Sequence, residues 1–148
     1  MTNDAYGEQA VDTGWWALRV SLGAVAFLAG LDKFFNLLAD WTTYLSPIVS
    51  RFVDPVLFMR AVGAIEMTAG LLLLFGVTRL GGYIVSVWLV GIAANLLTTG
   101  KFFDVAARDA VMAVAAFTLA KLTEARDARV SERPIVTRAN RSPLPATR

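Results

Sequence analysis

The chain contains no cysteine and no histidine in 148 residues. Without cysteine there is no disulfide, no thiol redox chemistry and no thiolate-held cluster. Without histidine the commonest metal ligand and the usual axial ligand of a membrane haem are missing, so neither a metal nor a haem centre is expected. Charge is also scarce: Asp, Glu, Lys and Arg make up 18% of the residues and the net charge is +2. So small an excess gives no electrostatic footprint for a nucleic-acid partner, and none is expected. What is present is apolar, 56% of the residues with a mean hydropathy of +0.56. That is too much for an ordinary soluble domain of this length. One membrane domain fits, because four spans of roughly 20 residues use a little over half the chain.

Residues 1–14 are polar and acidic (Asp4, Glu8, Asp12), with no Lys or Arg. A signal peptide needs a positive n-region and a small-residue cleavage site, so the first apolar segment is expected to remain in the mature protein. Four spans are expected over residues 15–34, 55–76, 80–100 and 105–122. Trp15-Trp16 opens the first as an interfacial aromatic anchor. Arg19, Gly23, Ala26, Gly30 and Lys33 follow at spacings of three and four, so they share one helix face. Asp32-Lys33-Phe34-Phe35 reads as a border whose charges reach towards water. Residues 36–54 carry Pro47, aromatics and scattered charges, which predicts an interfacial connection and not a span. Pro55 suits a first helical turn and Gly76 a helix stop. The fold class that follows is all-α: an up-down four-helix integral membrane bundle with short loops and one interfacial connection between helices 1 and 2. Residues 123–148 read as a basic, mostly disordered tail interrupted by Pro134, Pro143 and Pro145. The Lys and Arg excess on the side of Arg79 and the tail predicts that both termini are cytoplasmic.

Glu66 stands in the middle of the second apolar segment, with Gly63, Met67 and Gly70 on the same face. A bare carboxylate at that depth costs several kcal/mol, so it must be neutral or paired inside a bundle. Arg19, nearer one surface, and Arg60 are the bases considered as its partners. Asn95 is the one strongly polar residue within the third segment, and Arg108 and Asp109 open the fourth. Arg19, Lys33, Arg60 and Arg108 nearly balance Asp32, Glu66 and Asp109, as expected if they neutralise one another. The candidate polar site is therefore Arg19, Arg60, Glu66, Asn95, Arg108 and Asp109, with no catalytic residue and no metal ligand assigned. Two roles compete: an ion-pair network that fixes helix register, and a cavity that binds a polar headgroup or relays a proton.

Several of these residues carry a family resemblance. Arg19 and Gly23 with Gly30-Leu-Asp-Lys-Phe34 resemble the first helix of DoxX-like proteins. The run Gly63-Ala-Ile-Glu66-Met-Thr-Ala-Gly70 through Gly76, followed by Thr78-Arg79, is similar to that family's second helix. Asp104 through Arg108-Asp109, before an alanine-rich helix, resembles its fourth. The resemblance implies a four-helix protein of the bacterial inner membrane. It also implies an accessory subunit of a quinone-linked redox system, with Arg19, Glu66, Arg108 and Asp109 as candidates for a shared polar site. Quinone or lipid would be the bound molecule, and a membrane protein or a second copy the partner. A non-catalytic scaffold or assembly factor, or a small lipid or metabolite carrier, are the alternatives.

Overall fold

The computed structural model describes residues 2–132. They form four helices in up-down order: α1 Thr2–Phe35, α2 Pro55–Phe75, α3 Thr78–Thr99 and α4 Phe103–Glu132. Among the described residues, Tyr6–Phe35 of α1, all of α2 and all of α3 are long and apolar enough to cross a membrane. The fourth helix carries Asp104, Arg108, Asp109 and Lys121, and its place is set by packing along α3 and, less extensively, against α1. Large apolar side chains such as Leu57, Phe75, Val87, Val111 and Val114 point outwards. An outer surface of this kind is costly in water and suits the hydrocarbon of a bilayer.

The helix ends follow local chemistry. Asp54 caps α2 by accepting from the Leu57 N–H at 2.8 Å, and Pro55 occupies the first turn, where its missing N–H costs nothing. Gly76 and Val77 alone join α2 to α3, which makes them antiparallel neighbours. Gly100, with φ 69°, ends α3 in the left-handed conformation that glycine adopts freely. Two helices are longer than their apolar segments. The polar residues before Trp15 continue α1 instead of forming a separate segment, and Asp12 on this extension pairs with Arg126 of α4 at 3.1 Å. The fourth helix likewise runs past Leu122 to Glu132, so the first part of the basic tail is helical; its remainder, 133–148, lies outside the described residues. At 1.5 Å per residue, α1 is about 51 Å long and exceeds a hydrocarbon core of about 30 Å, so part of it must stand outside.

Packing divides the bundle into two close pairs, α1 with α2 and α3 with α4, in looser contact with each other. Backbone meets backbone in the first pair. A Cβ on Gly30 would lie 2.6 Å from the Gly63 carbonyl oxygen, and a Cβ on Gly63 would lie 2.6 Å from that of Gly30. Gly23 and Gly70 repeat the contact two turns away, which fixes the antiparallel register. Small residues on these faces are what permit so close an approach, as the sequence predicts. The second pair uses Ala113, Ala116 and Ala120 of α4, all buried, with Gly82 of α3 against Ala116 and Ala120. Trp15, Leu22, Ala69, Leu73, Val85, Ala116 and Leu119 join the pairs in one core.

Residues 36–54 form a strap across the end where α1 stops. Two short 3-10 turns, Trp41–Tyr44 and Val49–Arg51, are its only regular structure, and the first packs on α2. The expected connection in place of a span is therefore what forms. Asn95 anchors it from α3: its Oδ1 accepts from the Ser46 N–H at 3.1 Å and its Nδ2 donates to the Tyr44 carbonyl at 2.8 Å. Thr98 adds a bond to the Ser46 hydroxyl at 2.8 Å.

Candidate functional site

The tight crossing of α1 and α2 creates a reciprocal arrangement. Gly30-x-x-Lys33 on one helix faces Gly63-x-x-Glu66 on the other. The Lys33 Cβ lies beside Gly63 and the Glu66 Cβ beside Gly30. Each glycine thus makes room for the charged side chain of the opposite helix. Lys33 Nζ and Glu66 Oε2 are 2.5 Å apart, and the two side chains are only 6% and 10% exposed. A charge-assisted bond this deep is strong, but each ion also loses its hydration, so the pair depends on having both members.

The strap completes the surroundings of the ammonium. Trp41 lays its ring over Lys33 Nζ, 3.8 Å from the ring centroid. Asp32 holds that ring in place. Its Oδ2 accepts from Trp41 Nε1 at 2.7 Å, and its carboxylate also accepts from the Leu37 and Leu38 N–H groups at 3.0–3.2 Å. Asp32 therefore closes the C-terminal end of α1, where Asn36 turns the chain with φ 52°. It also positions an aromatic face over the cation, a favourable cation–π geometry.

Two further groups surround Glu66. The indole nitrogen of Trp88, on α3, is buried with no hydrogen-bond partner. It faces the Glu66 carboxylate and favours its charge. Asp109 of α4 is 8% exposed and lies within electrostatic reach of both Glu66 and Lys33. Its nearest cation is the adjacent Arg108, whose Nε is 3.7 Å away on a side chain 65% exposed. That distance is too long for a hydrogen bond. The cluster thus has a buried indole N–H, Trp88 Nε1, without a hydrogen-bond partner, and a buried carboxylate, Asp109, whose cation stands on the rim.

The residues expected from sequence to form one site do not all meet. Arg108 and Asp109 pair with one another at 3.7 Å, within electrostatic reach of Glu66. Arg19 does not pair with Glu66. Its Nε and Nη2 donate to the Leu73 and Leu74 carbonyls, both at 2.8 Å, and its guanidinium lies near the Trp15 and Trp16 rings. Arg19 therefore satisfies carbonyls that the end of α2 leaves unpaired. Arg60 is exposed and stands outside the cluster. Asn95 holds the strap. The base that meets Glu66 is Lys33, expected to reach towards water at a helix border; the strap covers that route and the glycine crossing opens an inward one. Asp32, Trp41 and Trp88 were likewise not among the expected site residues. Two sequence signals point to Lys33: it shares the face of Gly23 and Gly30, and its spacing from Gly30 equals that of Glu66 from Gly63.

Comparison with curated proteins and with solved structures found no significant match. The family model described as DoxX matches residues 14–98. The match takes in α1 from Gly14, the strap, α2 and nearly all of α3, and with them Lys33, Trp41, Glu66 and Trp88; α4, which supplies Asp109, lies beyond it. With more than half its length matched, and with the apolar helices of a membrane protein, this chain belongs to the DoxX family.

Proposed function

We propose that this protein is an accessory subunit of a quinone-linked redox system in the bacterial cytoplasmic membrane, and that the Lys33–Glu66 cluster receives a quinone headgroup. One observation carries the reading: the buried Trp88 indole N–H, which has no hydrogen-bond partner, in a bundle that also buries the Asp109 carboxylate. An ion pair that only fixed helix register would need neither. A quinone ring presents a carbonyl acceptor when oxidised and a hydroxyl donor when reduced, so an indole N–H and a carboxylate match its two forms. Trp88 Nε1–H and the Lys33 ammonium are the donors available to a carbonyl, and Asp109 is the acceptor available to a hydroxyl. The apolar outer faces of the helices suit the ligand's tail and a membrane-protein partner or second copy. The bound group in this reading is neither metal nor covalent. Exposed Arg79, Arg129 and Lys121 at the terminal end support a cytoplasmic location for both termini.

The test is quinone titration of the protein in lipid nanodiscs, followed by quenching of its tryptophan fluorescence. The expected result is saturable quenching, with affinity at least about tenfold weaker in Trp88→Phe and Asp109→Asn, equivalent to roughly 1.4 kcal/mol. Non-saturable quenching, or affinity unchanged in both variants, would overturn the headgroup site. Stable co-purification of a membrane partner by such a protein would then favour the scaffold reading.

A further inference from the structure

The two helix pairs are joined in different ways at the two ends of the bundle. At the end opposite the strap, the Gly76–Val77 turn links α2 to α3 covalently. There the Trp15 indole of α1 donates to the Thr123 hydroxyl of α4 at 2.7 Å, and Asp12 bonds to Arg126. The apolar cluster that joins the pairs sits towards this end too. Trp15 stands at the border of the first apolar segment, Leu73 lies two residues from the end of α2, and Ala116 meets Gly82, just over one turn into α3.

Towards the strap the interior is polar, with the Lys33–Glu66 pair on one side and the buried Trp88 indole nitrogen on the other. The strap itself reaches from one pair to the other. Asp32 holds its Trp41 on the first pair, over Lys33. A few residues on, Tyr44 and Ser46 are held on the second pair. Asn95 accepts from the Ser46 N–H at 3.1 Å and donates to the Tyr44 carbonyl at 2.8 Å, and the Thr98 and Ser46 hydroxyls are 2.8 Å apart. The Tyr44 ring meets Phe102, between α3 and α4, at 4.5 Å, and Leu45 is buried. A few polar bonds therefore do at this end what a covalent turn and an apolar core do at the other. Such bonds exchange at small net cost for bonds to water at the interface, whereas parting the core uncovers apolar surface.

We propose that the strap is a latch: when Tyr44 and Ser46 leave Asn95 and Thr98, the α1–α2 pair and the α3–α4 pair part at the strap end and pivot on the core and the Gly76–Val77 turn at the opposite end. The glycine crossing of α1 with α2, and the close fit of Gly82 against Ala116 and Ala120, keep each pair rigid, so the motion is a hinge between two bodies. Trp41 travels with the first pair because Asp32 holds it there, so Lys33 keeps its aromatic cover. The side that opens is the one facing α3. Parting gives the Trp88 N–H and the Lys33–Glu66 pair, both enclosed while the latch is shut, contact with the strap-side interface. The latch is independent of what the cluster binds, and its test uses no ligand.

The absence of native cysteine allows spin labels to be placed at will on introduced ones. Pulsed electron paramagnetic resonance of the full chain in nanodiscs then reads two distances. Labels at the exposed Leu57 and Phe103 report the strap end, and labels at the exposed Phe75 and Phe117 report the opposite end. Asn95→Ala removes two of the latch bonds, so the ratio of a longer strap-end distance to the latched one should rise at least about tenfold, with the Phe75–Phe117 distance unchanged. Thr98→Val should give the same longer distance in smaller proportion. No longer strap-end distance in either variant, or equal lengthening at both ends, would overturn the latch. Thr98 is exposed, so its variant decides alone if Asn95→Ala does not fold.

Discussion

The two ends of the bundle use the same kinds of ion pair in opposite ways. At the strap end, Lys33 and Glu66 meet in the seam between α1 and α2, enclosed by glycine backbone and the Trp41 ring. At the terminal end, Arg79 and Lys121 both bond to Glu124, at 3.1 and 2.6 Å, and Tyr83 donates to it at 2.9 Å. Arg126 bonds to Asp12 there and lies 4.0 Å from the Trp15 ring centroid. Arg79–Glu124 and Arg126–Asp12 connect helices across the outer surface, while Lys121–Glu124 lies along α4 itself. Water can replace a lost partner at the terminal end, and none can at the strap end. Pairs of the first kind contribute about 0–1 kcal/mol each, while removing one member of a buried pair costs roughly 3–5 kcal/mol. The terminal end thus ties the helices together, and the strap end concentrates the polar groups that need one another.

The sharpest way to break this contrast is Lys33→Met. It should destabilise the detergent-solubilised protein by roughly 3–5 kcal/mol in thermal or denaturant unfolding, because Glu66 is left unpaired. The double variant Lys33→Met, Glu66→Leu should regain most of that loss. Equal destabilisation of the single and double variants would mean that packing, not charge, holds the seam. Next in size is Gly30→Ala, whose Cβ would lie 2.6 Å from the Gly63 carbonyl oxygen and 2.8 Å from the Met67 nitrogen. Backbone has to move apart, at a cost of about 1–3 kcal/mol. An unchanged unfolding midpoint would show that the crossing is looser than described.

The smallest effect is expected at the terminal end from Glu124→Gln. The Lys121 ammonium, then the Tyr83 hydroxyl, hydrogen-bond to the Glu124 carboxylate and hold its pKa below the ordinary carboxylate value. A carboxyl lowered in the folded state adds stability above its unfolded pKa and loses it as pH falls through the folded one. The variant should therefore lower the unfolding midpoint slightly near neutrality and converge with the parent in acid. A gap that persists at low pH would assign the effect to packing.

Much of this architecture was legible in the sequence. The period of small residues through Gly23, Ala26 and Gly30 and through Gly63 and Gly70 identified the two faces that meet, since close approach needs residues without bulk. Glu66 in an apolar run required an interior partner, and one is present. Its identity was not legible. Lys33 and Arg19 occupy the same helix face, and a depth estimate favours neither without the register between α1 and α2. The glycine crossings set that register, placing Arg19 at the last carbonyls of α2 and Lys33 within reach of Glu66. Asp32 and Trp41 were hidden for a similar reason. Their bond joins a helix end to a strap whose course follows from Asn95, far along the chain.

By itself the sequence determined that the chain is a membrane-embedded helical bundle with an acid that cannot face lipid. Periodicity and burial cost depend on local spacing alone, so both can be read along one segment. Only the tertiary structure decided which cation meets that acid and which aromatic ring covers the cation. Those outcomes depend on the relative heights of four helices, and backbone contacts between residues distant in the chain set those heights.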